Sequence, residues 1–288
     1  MKTNLNHKKM KNKLNLLFVV AVLFFGTNTF AQNPKFYIYL CLGQSNMEGN
    51  AKFEPQDTIV NKRFQVLEAV DCDNLNRKKG QWYTAVPPLS RCQTGLTPAD
   101  YFGREMIANL PEDVKVGVIN VAVGGCKIEL FDKDNYEAYV SASPQWLKST
   151  AAQYDGNPYG RLVEMAKIAQ KDGVIKGILL HQGESNTNDT LWTKKVKLVY
   201  DNLLKDLNLT AESTPLLAGE VVHADQGGIC ASMNKIIATL PETIPNSYVI
   251  SSSRCPDAED NLHFSAEGYR MLGKRYATKM LEIMKNKK

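Results

Sequence analysis

The chain has few histidines and no pair of closely spaced cysteines. Four of its 288 residues are histidine, and none of its six cysteines forms a C-x-x-C pair. Zinc sites and thiol redox sites depend on such clusters of cysteine and histidine. The sequence therefore argues against a zinc or redox protein, and it also lacks internal repeats and low-complexity tracts.

The sequence also lacks an apolar run long enough to cross a bilayer. The run Leu16–Phe25 has ten residues, against the roughly 20 that a membrane-spanning helix needs. It follows five lysines and precedes Thr29-Phe30-Ala31, a pattern typical of signal-peptide cleavage. We therefore expect residues 1–31 to be a signal peptide cut after Ala31, which predicts a periplasmic or secreted protein without an integral membrane segment. An uncleaved anchor is the alternative, and the shortness of the run argues against it.

An excess of charge of either sign is missing once residues 1–31 are removed. The whole chain has 35 basic and 30 acidic residues, and five of the basic ones are lysines in that segment. The remaining 30 basic and 30 acidic residues give no reason to expect nucleic acid or an anionic membrane as a partner. Residues 32–288 have the length and composition of one globular domain.

Apolar runs and helical patterns alternate along this domain. Largely apolar runs typical of buried parallel strands are Phe36–Leu42, Val114–Val123, Val174–Leu180, Pro215–Val222 and Ser247–Ile250. Helical periodicity covers Pro98–Leu110, Tyr159–Ala169, Leu191–Leu207, Ile229–Leu240 and Ser265–Met284, with Thr97 as the N-cap of the first. The alternation predicts an α/β fold, a three-layer α/β/α sandwich around a central parallel sheet. Its functional site is expected at the carboxyl ends of the strands.

Residues 50–97 break this alternation. They are polar and follow the first strand directly, where a long insertion is usually functional or disordered. We interpret them as a substrate-binding insertion over the site, and a surface excursion held by a disulfide between Cys72 and Cys92 is an equal alternative. Cys230 and Cys255 are the second candidate pair, because both lie in or near loops.

A serine and a histidine are candidates for nucleophile and base. Ser45 follows the first strand after a glycine, where a tight turn can expose its hydroxyl, although such a serine is more often a helix cap. Beyond residue 31 the histidines are His181 and His223, both at strand ends, and His263. Asp260 precedes His263 by three residues, so one short turn can bring its carboxylate to the imidazole.

Two further strand ends have residues suited to stabilising an oxyanion. Gly124 and Gly125 follow the second predicted strand, and a glycine turn lets backbone N–H groups approach a ligand closely. Gln182 follows the third strand and has an amide that can donate to an oxyanion. Glu184, two residues later, can orient a base or stabilise the loop. Each feature alone has an ordinary structural explanation, but all of them fall on one edge of one sheet.

The motifs resemble those of the SGNH-hydrolase superfamily over residues 36–284. The stretches Gly43-Gln44-Ser45-Asn46-Met47 and Gln182-Gly183-Glu184-Ser185 are most similar to carbohydrate esterase family 6 and the related sialate O-acetylesterase domain. The wider superfamily has Gly-Asp-Ser in the first block and Asn in the third, where this chain has Gln44 and Gln182. The resemblance implies the flavodoxin-like SGNH-hydrolase fold.

The resemblance also implies a role for each site residue. Ser45 is the expected nucleophile, His263 the base, and Asp260 the carboxylate that orients His263, with Glu184 as a rival or additional acidic partner. The backbone N–H groups of Ser45 and Gly125 and the Gln182 side chain are the expected oxyanion hole. Candidate substrate contacts are Gln44, Asn46 and Trp82, with Tyr83, Trp146 and Trp192 as other aromatic contenders.

These roles predict a serine carbohydrate esterase that removes acetyl groups through an acetyl-enzyme intermediate, without metal or organic cofactor. The resemblance implies an acetylated carbohydrate as substrate. We favour acetylxylan because the chain is compact, and O-acetylated sialic acid is the alternative. A binding protein of the same fold without catalysis is a hypothesis from another class. A glycosidase based on Glu184 is less consistent with the sequence, since it leaves Ser45 and His263 without a purpose.

Overall fold

A seven-stranded sheet forms the centre of the molecule in the computed structural model, which describes residues 32–286. The strands are β1 (Phe36–Gly43), β2 (Phe64–Leu67), β3 (Trp82–Thr84), β4 (Lys115–Ala122), β5 (Val174–His181), β6 (Leu216–Gly219) and β7 (Ser247–Ile250). Their order across the sheet is β3-β2-β4-β1-β5-β6-β7. All neighbours are parallel except β3, which runs antiparallel to β2 at the edge. The five strands predicted from the sequence are all present.

Helices cover both faces of this sheet. They are α1 (Ser45–Glu48), α2 (Pro98–Asn109), α3 (Tyr136–Ala142), α4 (Gln145–Ala152), α5 (Pro158–Ala169), α6 (Trp192–Asp206), α7 (Asn234–Ile237), α8 (Leu240–Thr243) and α9 (Ala266–Asn286). Side chains of β1 alternate between two hydrophobic clusters, as successive residues of a strand must. Leu40 and Leu42 pack in the cluster that contains α5 and α6, whereas Tyr39 and Cys41 pack with α2 and α9. This arrangement is the predicted three-layer α/β/α sandwich.

The helix α2 begins as its sequence predicts. Thr97 caps the helix by accepting from the backbone N–H of Ala99, and the Asp100 carboxylate accepts from the N–H of Thr97 at 2.9 Å. Pro98 occupies the first turn, where a missing N–H costs nothing. Gly273 of α9 lies so close to α2 that a Cβ would be 2.3 Å from the carbonyl oxygen of Pro98. The two helices therefore pack in direct backbone contact.

The structure differs from the predicted elements in three places. The helices α3 and α4 lie between β4 and α5, where the sequence predicts no helix. Residues 50–97 contribute the short strands β2 and β3 to the sheet edge instead of forming only an irregular excursion. The helix predicted over Ile229–Leu240 is broken into a 3₁₀ turn, α7 and α8. Pro241 at the start of α8 has no N–H to continue a helix from α7, which explains that break.

A buried ion pair stabilises the insertion. The guanidinium of Arg77 donates to the Glu68 carboxylate at 2.8 Å and to the carbonyl oxygens of Val86 and Pro88. Burial raises the pKa of Glu68, and the bond from Arg77 opposes that shift. These contacts tie β2 to the segment that follows β3.

One of the two expected disulfides is present. Cys72 and Cys92 are bonded within the insertion, as predicted. The pairing of Cys230 with Cys255 is wrong, since both are free thiols. Cys255 is fully buried in the cluster with α9, whereas Cys230 is partly exposed and has its sulfur 3.8 Å from the carbonyl oxygen of Glu184.

The predicted signal peptide, residues 1–31, lies outside the described residues. Within residues 32–286, no helix combines the length and apolar character that are needed to cross a membrane.

Candidate active site

Ser45 lies at the carboxyl end of β1, at the first residue of α1. The turn before it requires glycine, because a Cβ on Gly43 would lie 2.0 Å from the carbonyl oxygen of His181 in β5. The backbone N–H of Gln44 donates to that same oxygen at 3.0 Å. The close approach of β1 and β5 thus turns the chain sharply and leaves Ser45 half-buried at the sheet edge.

Ser45, His263 and Asp260 form a hydrogen-bonded line. The Ser45 Oγ lies 2.9 Å from His263 Nε2, and His263 Nδ1 lies 2.6 Å from Asp260 Oδ2. The other Asp260 oxygen accepts from the backbone N–H groups of Leu262 and His263. Burial opposes the charge of Asp260, but these hydrogen bonds outweigh it and lower the pKa of the carboxyl group. An ionised Asp260 keeps the proton on Nδ1, which leaves Nε2 free to accept the serine proton.

Glu184 does not contact His263 in this way. Its Oε1 accepts from the Asn46 amide at 2.5 Å, and its Oε2 is buried without a partner among the described residues. Burial raises the pKa of Glu184, although the bond from Asn46 opposes that shift. Of the two carboxylates that the sequence left open, Asp260 is therefore the one in contact with the imidazole.

Asn46 follows Ser45 directly and connects it to the loop that contains His263. Its Nδ2 donates to the carbonyl oxygen of Leu262 at 3.1 Å, and its Oδ1 accepts from the backbone N–H of Phe264 at 3.2 Å. The same Oδ1 accepts from the Tyr269 hydroxyl at 2.7 Å. Asn46 thus bonds the residues on both sides of His263. With 0% exposure it has no surface for the substrate contact expected from the sequence, so that expectation is corrected.

The glycine turn after β4 is fixed at both ends. The N–H of Gly124 donates to Glu48 Oε1 of α1 at 3.0 Å, and the carbonyl oxygen of Gly125 accepts from the Ser185 hydroxyl at 2.9 Å. Gly125 has a left-handed φ of 69°, which glycine adopts without strain. Among the described residues, nothing accepts from the N–H groups of Ser45 and Gly125. These two donors suit an oxyanion hole.

The two glutamines expected at the site are buried in a protein network. The Gln182 amide nitrogen lies within 3.3 Å of three acceptors, Gln44 Oε1, Cys126 O and Asn186 Oδ1, and its Oε1 accepts from Trp192. Two amide hydrogens already have protein acceptors, so an oxyanion would have to displace one. Gln182 is 1% exposed and Gln44 is 2% exposed. Their burial corrects Gln44 as a substrate contact and leaves no free donor on Gln182.

The three tryptophans lie in different environments. Trp82 packs against Phe36 with ring centroids 4.7 Å apart and donates to Asp172, which places it at the amino ends of β1 and β4. The expected substrate contact of Trp82 is therefore wrong, because the site lies at the opposite ends of these strands. Trp192 is fully buried, whereas Trp146 is exposed beside Gly125.

The other two described histidines are not bases for Ser45. His181 is fully buried, with its Nε2 3.9 Å from Glu184 and its Nδ1 3.4 Å from the Tyr276 hydroxyl. Burial lowers the pKa of His181 to about 3, so it is neutral near pH 7. His223 pairs with Asp225.

A cavity of about 630 Å³ opens beside α1. Its lining comes from residues 48–53 and, near the other end of the insertion, from Arg91 and residues 93–95. Arg91 in this lining forms an ion pair with Glu48, the same carboxylate that holds Gly124. The volume is within the range of small-ligand sites.

Known proteins are similar to this chain over nearly all of its described residues. A family model described as carbohydrate esterase, sialic acid-specific acetylesterase, matches residues 35–282. The chain is 24% identical over 254 residues to a probable carbohydrate esterase of Arabidopsis thaliana, covering 83% of this chain and 88% of that protein. The X-ray structure of the Arabidopsis protein has a TM-score of 0.66 at 23% identity, covering 87% of this chain and 99% of that chain.

Two further structures are similar in fold. NanS has a TM-score of 0.63 at 14% identity and covers 88% of this chain and 99% of its own. A carbohydrate acetylesterase from Xanthomonas citri has a TM-score of 0.61 at 16% identity, covering 86% of this chain and 56% of that one. These similarities confirm the predicted fold class.

Replacing Asn46 tests whether it positions the base. Asn46→Leu removes the amide, frees the His263 loop and leaves Glu184 without its partner. We expect kcat for a small activated acetate ester to fall roughly a hundredfold, since a shift of about 1 Å in reacting groups costs that much. Steady-state kinetics and a thermal melt measure activity and stability together.

Asn234→Leu is the matched control. Asn234 is also buried and bonds the N–H and carbonyl oxygen of Val221, at 2.9 and 3.1 Å. It should lose stability without a comparable fall in kcat. Wild-type kcat in Asn46→Leu would contradict the positioning role.

His181 makes the fold sensitive to acid. The unfolded chain protonates this histidine below its ordinary pKa of 6.5, whereas the folded chain resists protonation until about pH 3. The contribution of neutral, buried His181 to the free energy of unfolding is therefore complete above pH 6.5. It is lost as the pH falls from 6.5 towards about 3. We expect the unfolding equilibrium constant to rise up to about tenfold per pH unit from this one group. In His181→Gln, melting temperatures from pH 7 to 4 should fall less steeply than in wild type. An unchanged slope in His181→Gln would contradict this role.

Proposed function

The chain belongs to the carbohydrate esterase family of sialic acid-specific acetylesterases, and from that membership we propose that it is a serine O-acetylesterase of carbohydrates. The observation that carries this proposal is the line from Asp260 through His263 to the Ser45 hydroxyl. Two backbone N–H donors that have no acceptor within residues 32–286, on Ser45 and Gly125, complete the arrangement. Acyl transfer needs these parts together: a nucleophile, a base, a group that orients the base, and an oxyanion hole.

The proposed reaction has two halves. His263 Nε2 takes the proton as Ser45 Oγ attacks the acetyl carbonyl carbon, and the N–H groups of Ser45 and Gly125 bind the resulting oxyanion. His263 then gives the proton to the sugar oxygen, the ester C–O bond breaks, and the acetyl group remains on Ser45. Water attacks this acetyl-enzyme by the same route and releases acetate. Asp260 stays ionised and stabilises the imidazolium that forms twice in each cycle.

Acetylated plant polysaccharide, most simply acetylxylan, is the proposed substrate. A sialic acid carboxylate is best bound by an arginine whose charge is available. Arg91 beside α1 is instead paired with Glu48, and Arg104 of α2 donates to the backbone carbonyl oxygens of Asp57 and Ile59 in the insertion. These pairings favour a neutral sugar.

O-acetylated sialic acid is the second candidate. The description of the family model favours it. Arg254 is exposed just beyond β7, in the segment that leads to Asp260 and His263. Its positive charge could bind the carboxylate of a sialic acid there.

Acetate release from acetylated xylo-oligosaccharides and from 9-O-acetylated sialic acid, measured side by side, tests the proposal. Ser45→Ala should lose several orders of magnitude in kcat, and Asp260→Asn about 10⁴-fold, because the imidazole loses its orienting charge. Glu184→Gln should lose less than Asp260→Asn, since Glu184 does not touch the imidazole.

Each outcome of that comparison has a distinct meaning. Preference for the sialic acid would keep the mechanism and overturn the substrate. Acetate release by Ser45→Ala at the wild-type rate would overturn the mechanism. Binding of sugar without any ester hydrolysis would support a non-catalytic carbohydrate-binding protein.

We further propose that the enzyme acts outside the cytoplasm after cleavage following Ala31. The disulfide between Cys72 and Cys92 supports this, because such bonds are rare in reducing compartments. Amino-terminal sequencing of the exported protein should begin at Gln32. Recovery of the intact chain from the cytoplasm, with both cysteines reduced, would contradict it.

A further inference from the structure

Trp146 is an exposed aromatic side chain in contact with the glycine turn of the active site. It lies in the first turn of α4 and is 55% exposed. The far edge of its indole lies 2.6 Å from the position that a Cβ on Gly125 would occupy. The ring therefore packs on the backbone whose N–H faces the proposed oxyanion.

The helix that carries Trp146 is firmly anchored. Leu147 and Ala151 of α4 are buried, and Tyr154 just after the helix donates to the carbonyl oxygen of Ala122 at 3.3 Å. The Tyr154 hydroxyl also lies 3.3 Å from Ser90 Oγ in the insertion. Trp146 is thus held in a fixed place while much of its apolar surface remains in water.

Hydroxyl-bearing residues neighbour Trp146 on its own helix. On a helix surface the neighbours of a residue are three and four positions away. For Trp146 these are Ser149 and Thr150, and Ser143 lies three positions before it. Hydroxyl groups beside an aromatic face suit a ligand that offers both C–H groups and hydroxyls without a charge.

We propose that Trp146 forms the wall of a subsite for a neutral pyranose ring of the substrate. The C–H face of the sugar packs on the indole, while its hydroxyls meet water and the neighbouring serine and threonine side chains. Because Gly125 binds the acetyl oxygen in the proposed reaction, the ring next to Trp146 is the acetylated sugar or its neighbour in the chain. This subsite rests on the proposed esterase function and specifies its substrate as a neutral oligosaccharide.

Kinetics of Trp146 variants on two substrates test the subsite. For Trp146→Ala, the fall in kcat/KM on acetylated xylo-oligosaccharide should exceed any fall on 4-nitrophenyl acetate by at least tenfold, mainly through KM. Trp146→Phe should recover most of the loss, because it restores an aromatic face. Leu198→Ala, which removes an apolar side chain 43% exposed on α6, should behave as wild type on both substrates. An equal fall on the two substrates would overturn the subsite, since Trp146 would then only support Gly125.

Binding measurements separate the subsite from the reaction. Calorimetric titration of Ser45→Ala with acetylated xylotriose measures affinity without turnover. We expect at least tenfold weaker binding when Trp146→Ala is added to Ser45→Ala. Binding that depends on Trp146 would support the subsite even if the wild-type protein released no acetate, in which case only the esterase proposal would fail. Unchanged binding in the double variant, or no binding of the xylotriose at all, would overturn the subsite.

Discussion

The hydrogen bonds of the Asn46 amide join the two ends of the chain at the candidate active site. They link the residue after the nucleophile to Leu262 and Phe264, so that His263 is held between two fixed backbone positions. Glu184 and Tyr269 occupy the remaining bonding positions of this amide. The proximity of Ser45 and His263 thus depends on a buried polar contact that touches neither the imidazole nor the serine hydroxyl. The glycine turn after β4 is also fixed by hydrogen bonds, from Gly124 to Glu48 and from Ser185 to Gly125.

The central architecture was predictable because its signals are local and strong. The strands β1, β4 and β5 are eight residues long and almost wholly buried, which gives long apolar runs in the sequence. Parallel strands place their carboxyl ends together, so Ser45, the glycine turn and the Gln182 loop could be assigned to one edge without coordinates. The short strands β2 and β3, of four and three residues, gave no such run. The strand β2 pairs with the edge of β4, and β3 pairs with β2.

Burial decides which polar residues of the motifs are available to a ligand, and the sequence contains little information about burial. Gln44, Asn46 and Gln182 stand beside the nucleophile or at a neighbouring strand end, yet each is at most 2% exposed. The sequence favoured Asp260 over Glu184 as the partner of His263 without excluding Glu184, and the distances separate the two. The same holds for tryptophans. Trp82 follows a polar stretch but packs against Phe36 at the amino end of β1, whereas Trp146 belongs to a short helix that its sequence did not predict.

Ser45 and His263, the proposed nucleophile and base, are 218 residues apart in the chain. Ribosomes add roughly 5 to 20 residues each second, so the segment with Ser45 exists for tens of seconds before His263 is made. The last helix, α9, which packs against α2, follows later still. In the proposed mechanism, ester hydrolysis therefore reports completion of the whole domain, and a growing or truncated chain that ends before His263 lacks the base.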